Sequence, residues 1–264
     1  MIAVWIAIGI FGALAILFAA FRLENHRFRV THATIRHAKV VSPFRVVQVS
    51  DLHDRSFGRE QQKLLAAIRE AKPDFIVVTG DLFNRHNPNA CKNAFAFAER
   101  VVRLAPTYFA EGNHERSLCE TGERYVKEIA KLGVHVLQNA YTDLPQCRLI
   151  GLLQYAEPQI LSAMLAPDQL NLVLAHRPER FPLYAGTGAD VVLSGHAHGG
   201  QIRLFRRGLY APQQGVFPKY TEGVYNSGDS ILYVSRGLGN TIVTPRVFNT
   251  PELNVLDFDP VSGE

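Results

Sequence analysis

The sequence predicts an α/β fold preceded by one N-terminal transmembrane helix. From about residue 44 onward, short apolar runs alternate with segments of helical periodicity, a pattern typical of sheet strands covered by helices. Before that region, residues 2–21 contain no charged side chain. The chain has 264 residues, of which 47% are hydrophobic and 20% charged, so it can bury a sizeable core without disulfides. This balance excludes a disordered chain, a collagen and a disulfide scaffold.

The apolar stretch at the start has the length and composition of a membrane anchor. At about 1.5 Å per residue, residues 2–21 extend over roughly 30 Å, the thickness of a hydrocarbon core. A cleaved signal peptide is the alternative, but no Lys or Arg precedes the stretch and its end matches a cleavage site poorly. We therefore expect residues 1–21 to be a transmembrane anchor.

A basic segment, residues 22–43, follows the anchor and predicts its orientation. Its cations outnumber its one acidic residue, Glu24, and include Arg22, Arg27, Arg29, Arg36 and Lys39. The positive-inside rule then places the following domain on the cytoplasmic side of a single-pass membrane protein. The juxtamembrane segment either rests on anionic lipid or serves only as a topology signal.

Residues 44–264 are predicted to form one domain. Apolar and β-branched runs predict strands at Phe44–Ser50, Phe75–Thr79, Pro106–Ala110, Val134–Leu137, Leu149–Leu153, Leu170–Ala175, Asp190–Ser194, Ile231–Ser235 and Leu253–Phe258. Helical periodicity, as in the shared face of Leu64, Leu65 and Ile68, predicts helices at Glu60–Ala71, Asn93–Leu104 and Glu123–Leu132. Residues 199–230 are richer in Gly, Pro and Tyr and contain no such pattern.

Charge and cysteine content narrow the class of protein further. The formal charge of +4 is too small to indicate a nucleic-acid binder by itself. Cys91, Cys119 and Cys147 are scattered and form no CxxC pair, which favours free thiols in a reducing compartment.

Polar side chains follow five of the predicted strands, at the point where each strand ends. They are Asp51 and His53, Asp81, Asn113 with His114 and Glu115, His176, and His196 with His198. In open α/β sheets, ligands bind at the carboxyl ends of strands, so these groups are expected to converge. Carboxylate, imidazole and carboxamide oxygen are ligands for borderline divalent metals, and the absence of cysteine among them disfavours a structural zinc site.

The five blocks in this order resemble the calcineurin-like metallophosphoesterase family. They read Asp51-Leu52-His53, Gly80-Asp81, Gly112-Asn113-His114-Glu115, His176 and Gly195-His196-Ala197-His198, and they cover about residues 44–200. Each block alone is a weak signal, but the ordered set behind five strands is specific. Further stretches at Gly199-Gly200-Gln201, Tyr210-Ala211-Pro212 and Ser235-Arg236-Gly237 are similar to a membrane-associated bacterial branch.

The resemblance implies a two-sheet αββα sandwich with two divalent ions, Mn, Fe or Zn. One ion would be held by Asp51, His53, Asp81 and His198. The other would be held by Asp81, Asn113, His176 and His196, which makes Asp81 the bridge. His114 would be the catalytic residue, a proton donor and transition-state stabiliser. One departure is Arg177, which stands where many members have Asp and alters the local charge.

The resemblance further implies a phosphoesterase that hydrolyses a phosphomonoester or phosphodiester with a metal-bridging hydroxide. The predicted anchor favours a substrate near the membrane, including a lipid-linked one, so a nucleotide-sugar lipid pyrophosphatase similar to UDP-diacylglucosamine hydrolase is an alternative. A nuclease is disfavoured by the small positive charge. A non-catalytic metal-binding membrane scaffold is disfavoured because every ligand and His114 are present. The sequence does not indicate an oligomeric state.

Several further residues near the blocks allow two interpretations each. Glu115 either orients His114 by a hydrogen bond or caps the next helix. Gln201 either contacts one of the metal-ligating side chains or has no role at the site. A basic and aromatic segment follows the last block, with Arg203, Arg206, Arg207 and Lys219 interleaved with Phe205, Tyr210, Phe217 and Tyr220. It is either a lid that binds a phosphate or a lipid head group, or a solvated hairpin.

Overall fold

The computed structural model describes Trp5, residues 8–12, Phe18, and residues 27–89, 91–205, 207–240 and 246–261. Most of the predicted anchor, residues 1–21, therefore lies outside the described residues, as does Arg206 of the basic segment. Among the described residues, no helix has both the length and the apolar character needed to cross a membrane. The described residues before Arg27 are helical.

The first strand of the fold lies within residues 22–43, which were expected to form a juxtamembrane segment. The strands are β1 (Arg29–His37), β2 (Phe44–Val49), β3 (Phe75–Thr79), β4 (Thr107–Ala110), β5 (His135–Val136), β6 (Ala140–Asp143) and β7 (Arg148–Gly151). The helices are α1 (Gln62–Ala71), α2 (Lys92–Val101), α3 (Asn113–Ser117) and α4 (Glu120–Lys131). The folded unit thus extends beyond the predicted start at residue 44.

The second half contains two more short helices and a series of hairpins. The helices are α5 (Pro158–Ser162) and α6 (Phe181–Ala185). The strands are β8 (Asn171–Leu174), β9 (Val191–Ser194), β10 (Arg203–Leu204), β11 (Arg207–Gly208), β12 (Tyr210–Ala211), β13 (Gly215–Val216), β14 (Gly223–Ser227), β15 (Ser230–Val234) and β16 (Glu252–Pro260). Strands β10 to β13 form two small antiparallel hairpins in the segment that carried no strand pattern.

Within the described residues, two six-stranded mixed sheets form the centre of the domain. The first has the order β1-β16-β2-β3-β4-β5, and the second has the order β14-β15-β9-β8-β7-β6. Strands β2, β3 and β4 are parallel to one another, as are β7, β8, β9 and β15. Because the carboxyl ends of parallel strands share an edge, each sheet presents its strand-end loops on one side.

Three clusters of buried side chains in the described chain confirm the four-layer αββα sandwich. One cluster joins the outer face of the first sheet to helices α1, α2 and α4, for example Val78 against Ile68 and Phe97. A second cluster lies between the two sheets. The third joins the second sheet to α5 and α6, where Val173 packs with Phe181. The three cysteines are free, as predicted.

Candidate metal centre

All eight predicted site residues lie together and are buried at the carboxyl edge of the two sheets. They follow β2, β3, β4, β8 and β9, the five predicted strands. Asp51, His53, Asp81, Asn113, His114, His176, His196 and His198 each expose 8% or less of their surface. Since buried charges and imidazoles are costly without partners, so dense a cluster is a site rather than a packing accident.

The backbone around these side chains is strained. Five of them, Asp51, His53, Asp81, His196 and His198, have positive φ between 46° and 66°, a conformation that costs non-glycine residues free energy. Neighbouring glycines allow the crowding. A Cβ on Gly112 would collide with the carboxylate of Asp81, and a Cβ on Gly195 would collide with the side chains of Ser50 and Asp51. These loops are held in conformations that serve the cluster rather than local stability.

The carboxylate of Asp81 lies at the centre of the cluster. Its Oδ2 is 3.3 Å from Nε2 of His176, 3.8 Å from Nε2 of His53 and 3.9 Å from Nε2 of His114. Its Oδ1 accepts the backbone N–H of His114 at 2.7 Å, which fixes the orientation of the carboxylate. Asp81 therefore presents one oxygen to imidazoles that come from three different strand ends.

On one side of Asp81 lie Asn113, His176 and His196, whose ligand atoms converge. We call these three residues, together with Asp81, the Asn113 half. Nε2 of His176 lies 3.1 Å from Oδ1 of Asn113 and 3.1 Å from Nδ1 of His196. The other nitrogen of His176 lies 2.7 Å from the carbonyl oxygen of Thr79, and the other nitrogen of His196 contacts the amide oxygen of Gln213. An oxygen partner takes the N–H of the ring nitrogen that faces away, so in the neutral ring the nitrogen that faces the cluster is the one available to a cation.

On the other side lie Asp51, His53 and His198, which we call the Asp51 half. Nε2 of His53 and Nε2 of His198 are 3.2 Å apart, and Oδ1 of Asp51 lies 3.6 Å from Nε2 of His198. Ser50 donates its hydroxyl to Asp51 at 2.6 Å, and the backbone N–H of His196 also points to that carboxylate.

The histidine nitrogens that face away from the cluster have poorer hydrogen-bond partners in the Asp51 half than in the Asn113 half. Among the described residues, Nδ1 of His53 has no hydrogen-bond partner. Nδ1 of His198 faces the buried guanidinium of Arg246 at 3.1 Å, which fixes the proton of the free ring on Nε2. Binding of a cation through Nε2 requires that proton to move to Nδ1 and the guanidinium to turn away.

His114 differs from the other imidazoles because a backbone donor fixes its tautomer. The N–H of Arg85 donates to Nδ1 of His114 at 3.1 Å, so the neutral ring carries its proton on Nε2, the atom that faces Asp81. Burial lowers the pKa of His114 to about 4, and the ring is neutral near pH 7. His114 therefore offers an N–H donor to whatever occupies the centre.

The two central carboxylates have pKa values that move in opposite directions. Burial, together with the charge of Asp81, raises the pKa of Asp51 to about 6. Asp81 is also desolvated, yet its imidazole neighbours, with His176 foremost, hold its pKa well below the usual range. Although burial opposes its charged form, His176 beside Asp81 and Asp51 has a pKa of about 9. Strongly shifted groups of this kind are typical of functional sites.

The ring of His114 is oriented by the N–H of Arg85, whereas Glu115 caps the next helix, because it accepts the N–H of Gly112, the N-cap residue of α3. Its carboxylate accepts three backbone N–H groups, from Asp81 at 2.9 Å, Phe83 at 3.0 Å and Gly112 at 2.8 Å. The side chain thus ties the loop after β3 to the start of α3. Burial raises the pKa of Glu115 to about 7.

The remaining predicted residues lie around the cluster. Gln201 contacts it through the backbone, where its N–H donates to the carbonyl of His198 at 3.1 Å. Arg177 forms an ion pair with Glu179 at 3.1 Å and donates hydrogen bonds to the amide oxygen of Gln154. The carboxylate of Glu179 thus compensates the positive charge of Arg177. From the basic segment, Arg203 donates to the carbonyl of Gly199 at 2.7 Å.

The sequence analysis missed three groups that position the ligands: Ser50, Gln213 and Arg246. Ser50 lies beside a motif residue, so its proximity was a usable signal. Gln213 and Arg246 belong to irregular segments, and nothing local marks either as a neighbour of a strand-end histidine.

The donor chemistry of the cluster fits divalent cations. Three overlapping sets of side chains each bring their ligand atoms within 4.8 Å of one another: Asp51, His53 and His198; His53, Asp81 and His114; and Asp81, His176 and His196. Carboxylate and imidazole donors in this mixture suit Mn, Fe and Zn. The structure thus supports the binding of divalent metal ions at this cluster.

A sequence profile described as calcineurin-like phosphoesterase matches residues 44–200, which contain every residue of the cluster. The chain belongs to the calcineurin-like phosphoesterase family. As a member of this family it is a metal-dependent phosphohydrolase.

Two curated bacterial relatives match this calcineurin-like phosphoesterase over most of their length. The metallophosphoesterase YkuE of Bacillus subtilis is 30% identical over an alignment of 251 positions, which covers 88% of this chain and 86% of YkuE. The phosphodiesterase YaeI of Escherichia coli is 30% identical over an alignment of 230 positions, which covers 82% of each chain. The similarity therefore extends past residue 200 into the hairpin region.

A solved structure shares the fold at low sequence identity. The sulfate thiohydrolase SoxB of Thermus thermophilus has a TM-score of 0.50 and 14% identity, and the match covers 74% of this chain and 52% of that one. The likeness concerns the arrangement of sheets and helices alone.

Proposed function

We propose that this protein is a two-metal phosphodiesterase whose catalytic domain is tethered to a membrane by residues 1–21. The observation that carries the proposal is the position of Asp81 Oδ2, which lies within 4 Å of Nε2 of three histidines from separate strand ends. A carboxylate oxygen shared in this way, with a second ligand set on each side, is the arrangement expected of a bridging ligand.

The proposed ligand sets follow the two halves of the cluster. Asp51, His53, Asp81 and His198 would hold one cation, and Asp81, Asn113, His176 and His196 would hold the other. When bound, the two cations would supply Lewis-acid polarisation of the phosphoryl group and an activated water. The use of neutral Asn113 and neutral imidazoles limits the negative charge to Asp51 and Asp81, so the loaded site would attract an anionic phosphoester.

His114 is the proposed catalytic residue of the chain itself. Because Arg85 fixes its tautomer, Nε2–H is directed toward the centre, where it would donate to a phosphoryl or leaving-group oxygen. Its lowered pKa keeps the ring neutral, so it acts chiefly as a hydrogen-bond donor to developing negative charge. The preference for a diester is supported by the relative YaeI, which is named a phosphodiesterase.

The proposed tether rests on the sequence and on the exposure of the few anchor residues that are described. The uncharged stretch of residues 2–21 is long enough to cross a bilayer. Trp5, Ile8, Ile10 and Phe11 are helical and expose 54% to 75% of their surface. The cations after the stretch favour a cytoplasmic domain.

The activity is tested with the full chain in detergent and bis-(p-nitrophenyl) phosphate as substrate. After chelation, turnover should disappear, and it should return when Mn, Fe or Zn is added back. Two metal ions per chain without turnover would reject the proposed diester substrate class, and absence of bound metal would reject the two-metal centre.

The tether is tested by fractionation of cells that express the full chain or residues 22–264. The full chain should sediment with membranes and resist extraction by high salt, whereas residues 22–264 should not. Equal behaviour of the two chains would reject residues 1–21 as the tether.

A further inference from the structure

Three phenylalanines in the last third of the chain are exposed in backbone conformations that disfavour them. Phe205, Phe217 and Phe248 expose 99%, 75% and 67% of their surface, and all three have positive φ, of 48°, 55° and 53°. Turns with positive φ favour Gly, Asn or Asp, and a bulky residue there is an outlier. Neither burial nor turn geometry therefore explains an aromatic side chain at these three positions. We call the three residues the aromatic rim.

The aromatic rim borders two adjoining cavities that share the side chains of Arg203 and Glu222. One cavity, of about 560 Å³, is lined by Phe205, Phe248, Leu204 and Arg29. The other, of about 460 Å³, is lined by Phe217, Val224, Arg207 and Lys219. The rim thus forms one continuous surface, on which exposed aromatic and aliphatic side chains alternate with cations.

The charge of this surface is positive. The residues that line the two cavities include five cations and one carboxylate, namely Arg29, Arg203, Arg207, Lys219, Arg236 and Glu222. Glu222 bonds with Arg203 and Arg236, which leaves Arg207 and Lys219 directed to solvent beside the rim. Aromatic side chains flanked by Arg and Lys are the composition of surfaces that insert into the head-group region of anionic bilayers.

The position of Arg29 connects this surface to the N-terminal stretch. Arg29 begins β1, pairs with the buried Glu252 at 3.2 Å and lines the same cavity as Phe205 and Phe248. Only seven residues lie between Phe21, the end of the uncharged stretch, and Arg29, and the eight steps from one to the other reach at most roughly 29 Å. If the stretch crosses a bilayer, the cavity cannot lie farther than that from the membrane surface.

We propose that the aromatic rim docks on the anionic bilayer in which the N-terminal stretch is inserted. This inference rests on the tether in the proposed function. Phe205, Phe217 and Phe248 enter the head-group region, and Arg207 and Lys219 bind lipid phosphates. The segment between β10 and β13 also carries Gln213, which contacts His196, so docking places the metal centre close to the lipid surface.

The single tryptophan of the chain gives a direct test. Trp5 lies in the uncharged stretch, so the full chain with Trp5→Phe and Phe205→Trp has one tryptophan, in the rim. The protein is reconstituted into vesicles of phosphatidylcholine and phosphatidylglycerol with brominated acyl chains. Tryptophan at position 205 should be quenched to the same degree as Trp5 in the native chain.

A matched control places the tryptophan at the opposite edge of the second sheet. Tyr141 is 46% exposed on β6, whereas Val224 of the rim cavity lies on β14, at the other edge. The full chain with Trp5→Phe and Tyr141→Trp should show no quenching. Quenching at both positions would overturn the proposal, because it would indicate adsorption without orientation.

The outcomes separate the docking proposal from the tether. Unquenched tryptophan at 205 with quenched Trp5 would overturn docking, keep the tether and leave the rim facing a protein partner. Unquenched Trp5 would reject the tether, and with it the inserted anchor on which docking rests. Adding Arg207→Glu and Lys219→Glu should reduce quenching at 205 to its value in pure phosphatidylcholine; unchanged quenching would overturn the role of the cations. Circular dichroism should match the native chain in every variant.

Discussion

The two halves of the metal centre use the same kinds of ligand but differ in the hydrogen bonds that orient their histidines. In the Asn113 half, His176 and His196 each have an oxygen partner on the nitrogen that faces away, from Thr79 and Gln213. In the Asp51 half, Nδ1 of His53 has no hydrogen-bond partner in the described chain, and Nδ1 of His198 faces the guanidinium of Arg246.

This difference shows that the ligand set alone does not determine metal affinity. Hydrogen bonds to the second nitrogen fix the tautomer and orientation of a ligating histidine, and their loss typically costs about 10–100-fold in affinity. The Asn113 half has only to release the second proton of His176, with no change of tautomer, whereas the Asp51 half must move a proton from Nε2 to Nδ1 of His198 and turn Arg246 away. We therefore expect two metals of unequal affinity, with the tighter one in the Asn113 half.

The largest expected effect comes from removing the residue that both halves share. Asp81→Ala should abolish both metals, whereas Asp51→Ala should abolish one, because Asp51 belongs to a single half. Loss of several kcal/mol of transition-state stabilisation corresponds to a fall in turnover of about a thousandfold or more. Metal content by mass spectrometry and turnover of a phosphodiester measure the two effects.

Asp54→Ala is the matched control for this pair. Asp54 lies next to the cluster in sequence, but its carboxylate accepts N–H groups of Asn93 and Ala94 at the start of α2. This variant should keep both metals. Retention of both metals in Asp81→Ala would refute the bridging role and the division into two halves.

The next largest effect is expected at His114, which lies between the halves. Since its Nε2–H donates toward Asp81, His114→Gln should keep both metals and lower turnover by roughly 10²–10⁴-fold, the usual contribution of such a group. The control is His32→Gln, an exposed histidine on β1 that should change neither quantity. Loss of a metal from His114→Gln would make His114 a ligand of the set with His53 and Asp81.

The ligands of both halves were predictable from the sequence because their spacing follows a topological rule. Asp51, Asp81 and Asn113 follow parallel strands of one sheet, His176 and His196 follow parallel strands of the other, and such strands end at one edge. The five strands that precede them were predicted within a few residues, since their buried faces produce clear apolar patterns, whereas the short helix α3, which begins at Asn113, was not predicted.

The features that were not predictable depend on contacts between distant and irregular segments. Strand β1 buries only Ile35 and pairs with β16, so it shows no apolar alternation and its partner lies at the other end of the chain. Gln213 and Arg246 reach their histidines from segments without a motif. The difference between the two halves therefore becomes visible only in three dimensions.

A smaller loss of metal affinity is expected when a hydrogen-bond partner of a ligand in the Asn113 half is removed. Gln213→Ala removes the oxygen that contacts the second nitrogen of His196, so one of the two metals should bind about 10–100-fold more weakly. Gln213→Glu keeps an acceptor at that position and should retain native affinity. Competition with a chelator measures both metals separately; equal weakening of the two would refute the assignment of Gln213 to one half.

The smallest expected effect tests the best-positioned ligand of the Asp51 half. Ser50 donates to Asp51 at 2.6 Å, but the backbone N–H of His196 binds the same carboxylate and remains in Ser50→Ala. With one of two partners left, the loss should be about 1 kcal/mol, or less than about tenfold in affinity for the weaker metal. Ser56→Ala, whose exposed hydroxyl donates to Gly58, should leave both affinities unchanged. If Ser50→Ala instead weakened the tighter metal, the order of affinities inferred from the two halves would be reversed.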